Sequence, residues 1–116
     1  MQKKLLLILV ITSGLLATII NVPADSPSIQ AGINSAIDGD TVLVAPGEYL
    51  ENIDFYGKAV FLSSHYVLGQ DTSHISSTII NGSSSNSSVV TITSRIDSNS
   101  VLNGFTVTGG QGSYYS

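Results

Sequence analysis

Two segments of the chain share one pattern, in which a pair of aliphatic residues is followed by Asn-Gly. They are residues 79–82 and residues 101–104, and Val60-Phe61 lies about one such spacing earlier. A repeat of about 22 residues is typical of a solenoid, because one coil cannot bury its apolar face and must stack on the next. Asn-Gly suits the corner of a coil, since both residues tolerate positive φ.

The alternative role for each Asn-Gly is the tight turn of a β-hairpin. A hairpin would continue directly into its partner strand, whereas Gly82 is followed by the polar residues 83–88. This continuation favours stacked coils over hairpins.

Short β-prone segments bounded by Gly, Asn, Asp, Ser or Pro cover much of the chain. We predict strands at residues 18–22, 41–45, 59–63, 77–80, 88–93 and 104–108. Several of these segments are apolar on both faces. This pattern fits strands stacked against a core better than an open antiparallel sheet with one wet face.

One amphipathic helix is predicted over residues 27–37. Ser26 has the character of an N-cap, Pro27 suits the first helical position, and Gly39 follows as a C-terminal stop. Isoleucines recur at every fourth position on one face of this segment, at positions 29, 33 and 37.

Residues 1–17 have the pattern of a secretory signal peptide, in which two lysines precede an apolar run over residues 5–11 and then small residues. The alternative is a membrane anchor, because the weakly polar run extends to Ile20 and approaches the roughly 20 residues that span a bilayer. A Ser-Gly pair inside the run favours the signal peptide. Cleavage after Ala17 would place Leu15 at the −3 position, so the cut point stays open. We expect a secreted or cell-surface protein.

Without the leader, Lys58 and Arg95 are the only cations against eight acidic residues, which gives a formal charge of −6. Nucleic acid and anionic membranes are therefore poor partners, because both require a cationic surface. The chain has no cysteine, which excludes disulfides, thiolate metal sites and cysteine nucleophiles. Residues 18–116 form one domain at most.

Two stretches carry a resemblance to a known family. The first includes Ile20-Asn-Val-Pro-Ala-Asp25 and Ala36-Ile-Asp-Gly-Asp-Thr-Val-Leu-Val-Ala-Pro-Gly-Glu-Tyr49, and the second includes Ser77-Thr-Ile-Ile-Asn-Gly82 and Val101-Leu-Asn-Gly-Phe-Thr-Val-Thr-Gly-Gly110. They resemble the opening and the coil repeats of bacterial right-handed parallel β-helix domains of the pectin-lyase-like superfamily. The resemblance covers most of residues 18–110.

The resemblance implies an all-β solenoid of about three to four coils, with a short N-terminal helix that covers exposed strand edges. No C-terminal cap is recognisable, so we expect a truncated domain that continues into further coils of a parent chain. The scaffold serves polysaccharide lyases, glycoside hydrolases and non-catalytic surface proteins, and fold alone does not choose among these functions.

The sequence offers no convincing set of residues for either enzymatic reaction of this scaffold, lyase or hydrolase. A lyase needs Ca²⁺ ligands and a cationic base, for which only Lys58 and Arg95 remain, and Lys58 is more simply a solvated turn residue. A hydrolase needs two carboxylates about 5 to 9.5 Å apart. Turn and capping roles explain the candidate acids better; they are Asp38, Asp40, Glu48, Glu51, Asp54, Asp71 and Asp97. We predict no catalytic and no cofactor-binding residues.

Metal binding is not indicated either. His65 and His74 are separated in the sequence without the spacing of a helical pair or a third ligand nearby, which argues against a zinc site. Calcium at Asp38 and Asp40 is left open without positive support. We therefore predict no metal ligands and no cofactor.

Two further motifs carry little weight. Asn81 and Asn86 begin glycosylation sequons, which arise readily by chance in a chain rich in Ser and Asn. Tyr114-Tyr115 would suit stacking on a sugar, but lies in a Gly-Ser tail.

Two functions follow. The first is a non-catalytic secreted or surface module with a structural role, which displays polar side chains to polysaccharide or a cell-surface component. The second is the N-terminal part of a polysaccharide lyase or glycoside hydrolase whose catalytic coils lie downstream. We favour the first.

Overall fold

The computed structural model describes residues 17–93 and 99–111, so the predicted signal peptide lies outside the described residues except for Ala17. Within these ranges the chain forms nine strands and three short helices. In chain order they are β1 (Ile19–Val22), α1 (Ile29–Ser35), β2 (Thr41–Val44), β3 (Gly47–Leu50), β4 (Ile53–Asp54), β5 (Phe61–Ser64), α2 (Tyr66–Gly69), α3 (Ser73–Ser77), β6 (Thr78–Asn81), β7 (Val90–Thr91), β8 (Val101–Asn103) and β9 (Thr106–Thr108). The predicted strand-rich class with few helices is confirmed.

Every strand pair in the described ranges is parallel. Sheet A has the order β1-β2-β5-β8, sheet B the order β3-β6-β9, and sheet C pairs β4 with β7. From β2 onward the chain visits sheets A, B and C in turn and then repeats that order. Parallel neighbours need a long crossover connection, and here the strands of the other two sheets lie within it.

One row of apolar side chains runs across all four strands of sheet A. Val42 is paired with Ile20 on one side and Leu62 on the other, and Leu62 is paired with Leu102. Val42 and Leu62 are fully buried, together with Val22, Ile29, Ile33, Val44, Ile53, Phe55, Val60 and Ile80. Burial of each such side chain is worth about 1.5–3 kcal/mol, so this core is the main source of stability.

The interpretation of the Asn-Gly spacing as one coil was wrong for the segments that suggested it. Residues 79–81 of the first segment lie in β6 of sheet B, whereas residues 101–103 of the second segment lie in β8 of sheet A. Ile19 does lie beside Thr41, at the predicted spacing, but Phe61 lies beside Val101, which is almost twice as far along the chain. A circuit is the stretch of chain from one strand of sheet A to the next strand of the same sheet. The circuits differ in length because α2 and α3 are inserted between β5 and β6.

The six predicted strand segments all contain observed strands, but β3, β4 and β8 were not anticipated. Glu48, for which a turn or capping role was predicted, lies in β3 beside Ile79 of β6. The segment Gly-Glu-Tyr-Leu lacks the β-branched residues that mark strands, and its pairing partner follows only after two more strands and two helices. Tertiary pairing therefore determines the structure of this strand.

The predicted helix is confirmed but is shorter, and its cap differs. Ser28, rather than Ser26, is the N-cap, and its Oγ accepts a hydrogen bond from the Ala31 N–H at 3.1 Å. The helix ends at Ser35, and Ala36 is extended, which leaves Ile37 60% exposed instead of on the buried face.

A glycine inside a helix costs about 1 kcal/mol relative to alanine, and the packing of α1 explains why Gly32 is there. A Cβ atom at this position would lie 3.0 Å from Cγ1 of Val42 and 3.1 Å from Cγ2 of Val22. Gly32 thus lets the helix approach sheet A closely.

Candidate functional site

The acidic side chains of the described ranges accept hydrogen bonds from within the chain, mostly from backbone N–H groups. Each of the seven accepts at least one hydrogen bond within the chain; they are Asp25, Asp38, Asp40, Glu48, Glu51, Asp54 and Asp71. Most donors are backbone N–H groups of nearby turns or of neighbouring strands. The predicted turn and capping roles are confirmed for Asp38, Asp40, Glu51, Asp54 and Asp71. The prediction was wrong for Glu48, which lies in β3 and accepts a hydrogen bond from the side chain of Asn81. Asp97 and Arg95 lie outside the described residues.

Asp38 and Asp40, for which calcium binding was left open, also accept hydrogen bonds from backbone N–H groups. Asp40 is 4% exposed, and its two oxygens accept the N–H groups of Ile37 and Thr18, both at 2.9 Å. The hydrogen bond from Ile37 lowers the pKa of Asp40, although burial opposes this shift. Asp38 accepts the N–H of Ala59 at 2.9 Å. These carboxylates tie the turn after α1 to the starts of two neighbouring strands.

Lys58 is not the solvated turn residue that its sequence context predicted. Its Nζ donates to the carbonyl oxygens of Ile33, Asn34 and Ala36 at 2.9, 2.8 and 2.8 Å. These carbonyls belong to the last turn of α1, where a helix lacks internal donors and carries partial negative charge. Lys58 is therefore the C-terminal cap of a helix from which three strands separate it along the chain.

Glu51 has the matching role at the other end of α1. Its carboxylate oxygens accept the N–H groups of Ile29 and Gln30, each at 2.9 Å. An anion at a helix N-terminus satisfies free N–H groups and complements the helix dipole. One anion and one cation from a later circuit thus fix both ends of the helix.

The two histidines are well apart in the sequence, but their rings lie next to each other in the structure. The ring centroids of His65 and His74 are 5.8 Å apart, with an interplanar angle of 68°. His65 directly follows β5 and His74 lies in α3, so the turn between α2 and α3 brings them face to edge. Their separation in the sequence matches no regular helical spacing, and no sequence signal indicated this turn.

An open groove of about 470 Å³ lies on the outer side of sheet A. Its lining combines apolar residues, which are Ala59, Phe61 and Val101, with polar ones, which include Asp38, Asp40 and Asn99. Phe61 and Val101 are register partners on β5 and β8, so their side chains stand next to each other on the same face. The groove therefore presents apolar side chains together with polar ones.

The sequon asparagines differ in environment. The Nδ2 of Asn81 donates to Glu48 Oε2 at 2.8 Å, whereas Asn86 is exposed in the loop between β6 and β7. Tyr114 and Tyr115 lie outside the described residues.

Comparisons with known proteins gave no relative: no family model matches the chain, and neither curated proteins nor solved structures contain a match. Among the residues that the structure describes, no helix is both long and apolar enough to cross a membrane. In the same residues, no set of three His, Cys, Asp or Glu side chains is arranged to hold a metal ion.

Proposed function

We propose that this chain forms coils of a right-handed parallel β-helix of the pectin-lyase-like kind and acts as an exported, non-catalytic structural module. The observation that carries the proposal is the repeated passage through sheets A, B and C with parallel pairing throughout the described residues. Such an order is what a coiling chain with three strands in each turn produces. Parallel crossovers are almost always right-handed, which gives the hand.

The contacts of α1 support the same architecture. The helix packs Ile29 and Ile33 into the core against Val22 and Val42, at the β1 end of the stack. It occupies the circuit between β1 and β2, where later circuits carry strands of sheets B and C. A helix with capped ends in this position covers strand edges that would otherwise bind other chains.

Nuclear Overhauser contacts in the folded protein test the coil architecture. Sequential stacking requires contacts between the methyl groups of Val42 and Leu62 and between those of Leu62 and Leu102. Contacts between the Hα protons of Ile80 and Leu102, which the Asn-Gly spacing would demand, should be absent, because the two residues lie in different sheets. The reverse pattern would overturn the proposed coil order.

The groove on sheet A is the surface on which we expect this module to meet a polysaccharide. Phe61 and Val101, which are register partners, offer an apolar surface for the C–H face of a sugar ring, and Asn99 offers a donor and an acceptor for hydroxyl groups. Binding sites for small ligands combine apolar lining with a few placed polar groups in the same way. An open groove fits a chain-like ligand bound from the side.

A heteronuclear NMR titration with neutral oligosaccharides and oligouronates tests this binding. We expect amide shifts confined to Phe61, Asn99, Val101 and their neighbours, and their loss in the variant Asn99→Ala. The matched control is Asn86→Ala, in an exposed loop, which should bind like the unchanged protein. Shifts elsewhere, or none with any oligosaccharide, would refute the glycan-binding part of the proposal.

A further inference from the structure

The chain contains two histidines and no cysteine, and the structure brings both imidazoles together. His65 and His74 are both partly exposed, so solvent reaches them. They lie on the helical insertion between β5 and β6, away from the residues that line the groove. No role for this pair follows from the coil architecture or from glycan binding.

We propose that His65 and His74 together bind a divalent ion of the zinc type. Two imidazoles on one ion, each with a metal–nitrogen distance of about 2.0–2.1 Å, have ring centroids about 5–6 Å apart. The observed centroid separation of 5.8 Å falls in this range. Ligation requires that the two rings, which now meet edge to face, rotate until one nitrogen of each faces a shared ion.

The donor set determines which ions bind. Imidazole suits Zn²⁺, Cu²⁺ and Ni²⁺, whereas Ca²⁺ and Mg²⁺ require oxygen ligands. Two histidines are fewer than the three or four protein ligands of catalytic and structural zinc centres, so water completes the coordination. The site is accordingly one for reversible binding at the surface.

Asp71 adds a nearby negative charge. Its Oδ1 accepts the Ser73 N–H at 2.9 Å, which holds the carboxylate on the turn between α2 and α3. This hydrogen bond lowers the pKa of Asp71. The backbone N–H of His74 donates to the carbonyl of Asp71 at 3.1 Å, so the Asp71 carboxylate adds negative charge to the turn that carries His74.

A bound ion would join the start of α2 to α3. These helices contact each other, and α3 also contacts β6 and β9. An ion that binds only the folded arrangement stabilises it by mass action. The pair is thus a metal-dependent clamp on the insertion that links sheet A to sheet B.

The proposal is tested by titrating the protein, prepared without a histidine tag, with Zn²⁺ and separately with Ca²⁺. Calorimetry measures the binding, and proton NMR follows the imidazole signals. We expect saturable one-to-one Zn²⁺ binding at pH 7, with the imidazole proton signals of both histidines shifted. Calcium should leave the imidazole signals unchanged.

Three variants complete the test. His65→Asn and His74→Asn should each weaken Zn²⁺ binding by at least about tenfold, since even loss of an outer-shell contact costs that much. The control Ser76→Ala, in the same helix as His74, should leave the affinity unchanged. Absence of imidazole shifts with Zn²⁺ in the unchanged protein, or undiminished affinity in both histidine variants, would overturn the proposal.

Discussion

The side-chain amide of Gln30 pairs with the backbone of Asp54 as a neighbouring strand would. Gln30 Nε2 donates to the Asp54 carbonyl at 2.9 Å, and the Asp54 N–H donates to Gln30 Oε1 at 2.8 Å. Asp54 lies in β4, whose other side pairs with β7. One residue of α1 therefore satisfies the free edge of sheet C, and an edge occupied in this way is closed to other chains.

Replacement of Gln30 by alanine should reopen this edge. The two hydrogen bonds are partly buried, and each typical hydrogen bond contributes about 0.5–1.5 kcal/mol, so we expect a loss of about 1–3 kcal/mol in the free energy of unfolding. Urea denaturation followed by circular dichroism measures the loss. Gln111→Ala, at an exposed position, is the control and should change the free energy by less than about 0.5 kcal/mol. Equal effects of the two substitutions would contradict the edge-pairing role.

Lys58→Met keeps most of the aliphatic stem but removes the charge that caps α1. Three carbonyl groups would lose their donor, and we expect the free energy of unfolding to fall by about 1–3 kcal/mol. Hydrogen exchange should accelerate first in the last turn of α1, at Ile33 and Ala36. Lys58→Arg should restore only part of the stability, because a planar guanidinium does not converge on three carbonyls as an ammonium group does. Full stability of Lys58→Met would show that the cap contributes little.

Local sequence signals predicted the positions of most strands, but they did not predict which strands pair with each other. β1 and β2 are rich in Val and Ile, and they form where that composition predicts. The partner of a strand depends on the length of the circuit between them. Because an insertion such as α2 and α3 changes that length without changing the strand sequences, the Asn-Gly spacing led to the wrong pairing.

The contacts of α1 show a second limit of sequence reasoning. Ser28 acts within its own helix, and a local pattern pointed to a serine cap close by, at Ser26. Glu51 and Lys58 act on a helix from an earlier circuit, and no local pattern links them to it. Long-range side-chain contacts of this kind become visible only when the chain is folded.

Acid should weaken the fold through Asp40. Hydrogen bonding lowers the pKa of Asp40 in the folded protein below the value of about 3.9 of an unfolded chain. The unfolded state therefore takes up the proton first as the pH falls, so the stabilisation is complete above about pH 5 and is lost as the pH falls through the folded pKa. The melting temperature should drop between about pH 5 and pH 3.

The variant Asp40→Asn isolates this contribution. It should melt at a lower temperature than the unchanged protein at pH 7, because the amide NH₂ cannot accept a backbone N–H. Its melting temperature should also vary less over the acid range. Thermal melts across the range, followed by circular dichroism, measure both effects. An unchanged pH dependence in Asp40→Asn would assign the acid sensitivity to other carboxylates, such as Asp25 and Asp71, whose pKa values are also lowered by backbone hydrogen bonds.

Two threonines of sheet B should respond oppositely to the same substitution. Thr78 Oγ1 is buried and has no hydrogen-bond partner among the described residues, whereas Thr106 Oγ1 donates to the Ile75 carbonyl at 2.8 Å. Valine preserves the branched shape but removes the hydroxyl group. An unpaired buried polar group costs about 1–3 kcal/mol, so Thr78→Val should raise the free energy of unfolding by about 1 kcal/mol. Thr106→Val should lower it by about 0.5–1.5 kcal/mol through the lost hydrogen bond. Urea denaturation of both variants at pH 7 checks the opposite signs, and a destabilised Thr78→Val would mean that the hydroxyl group is satisfied in solution.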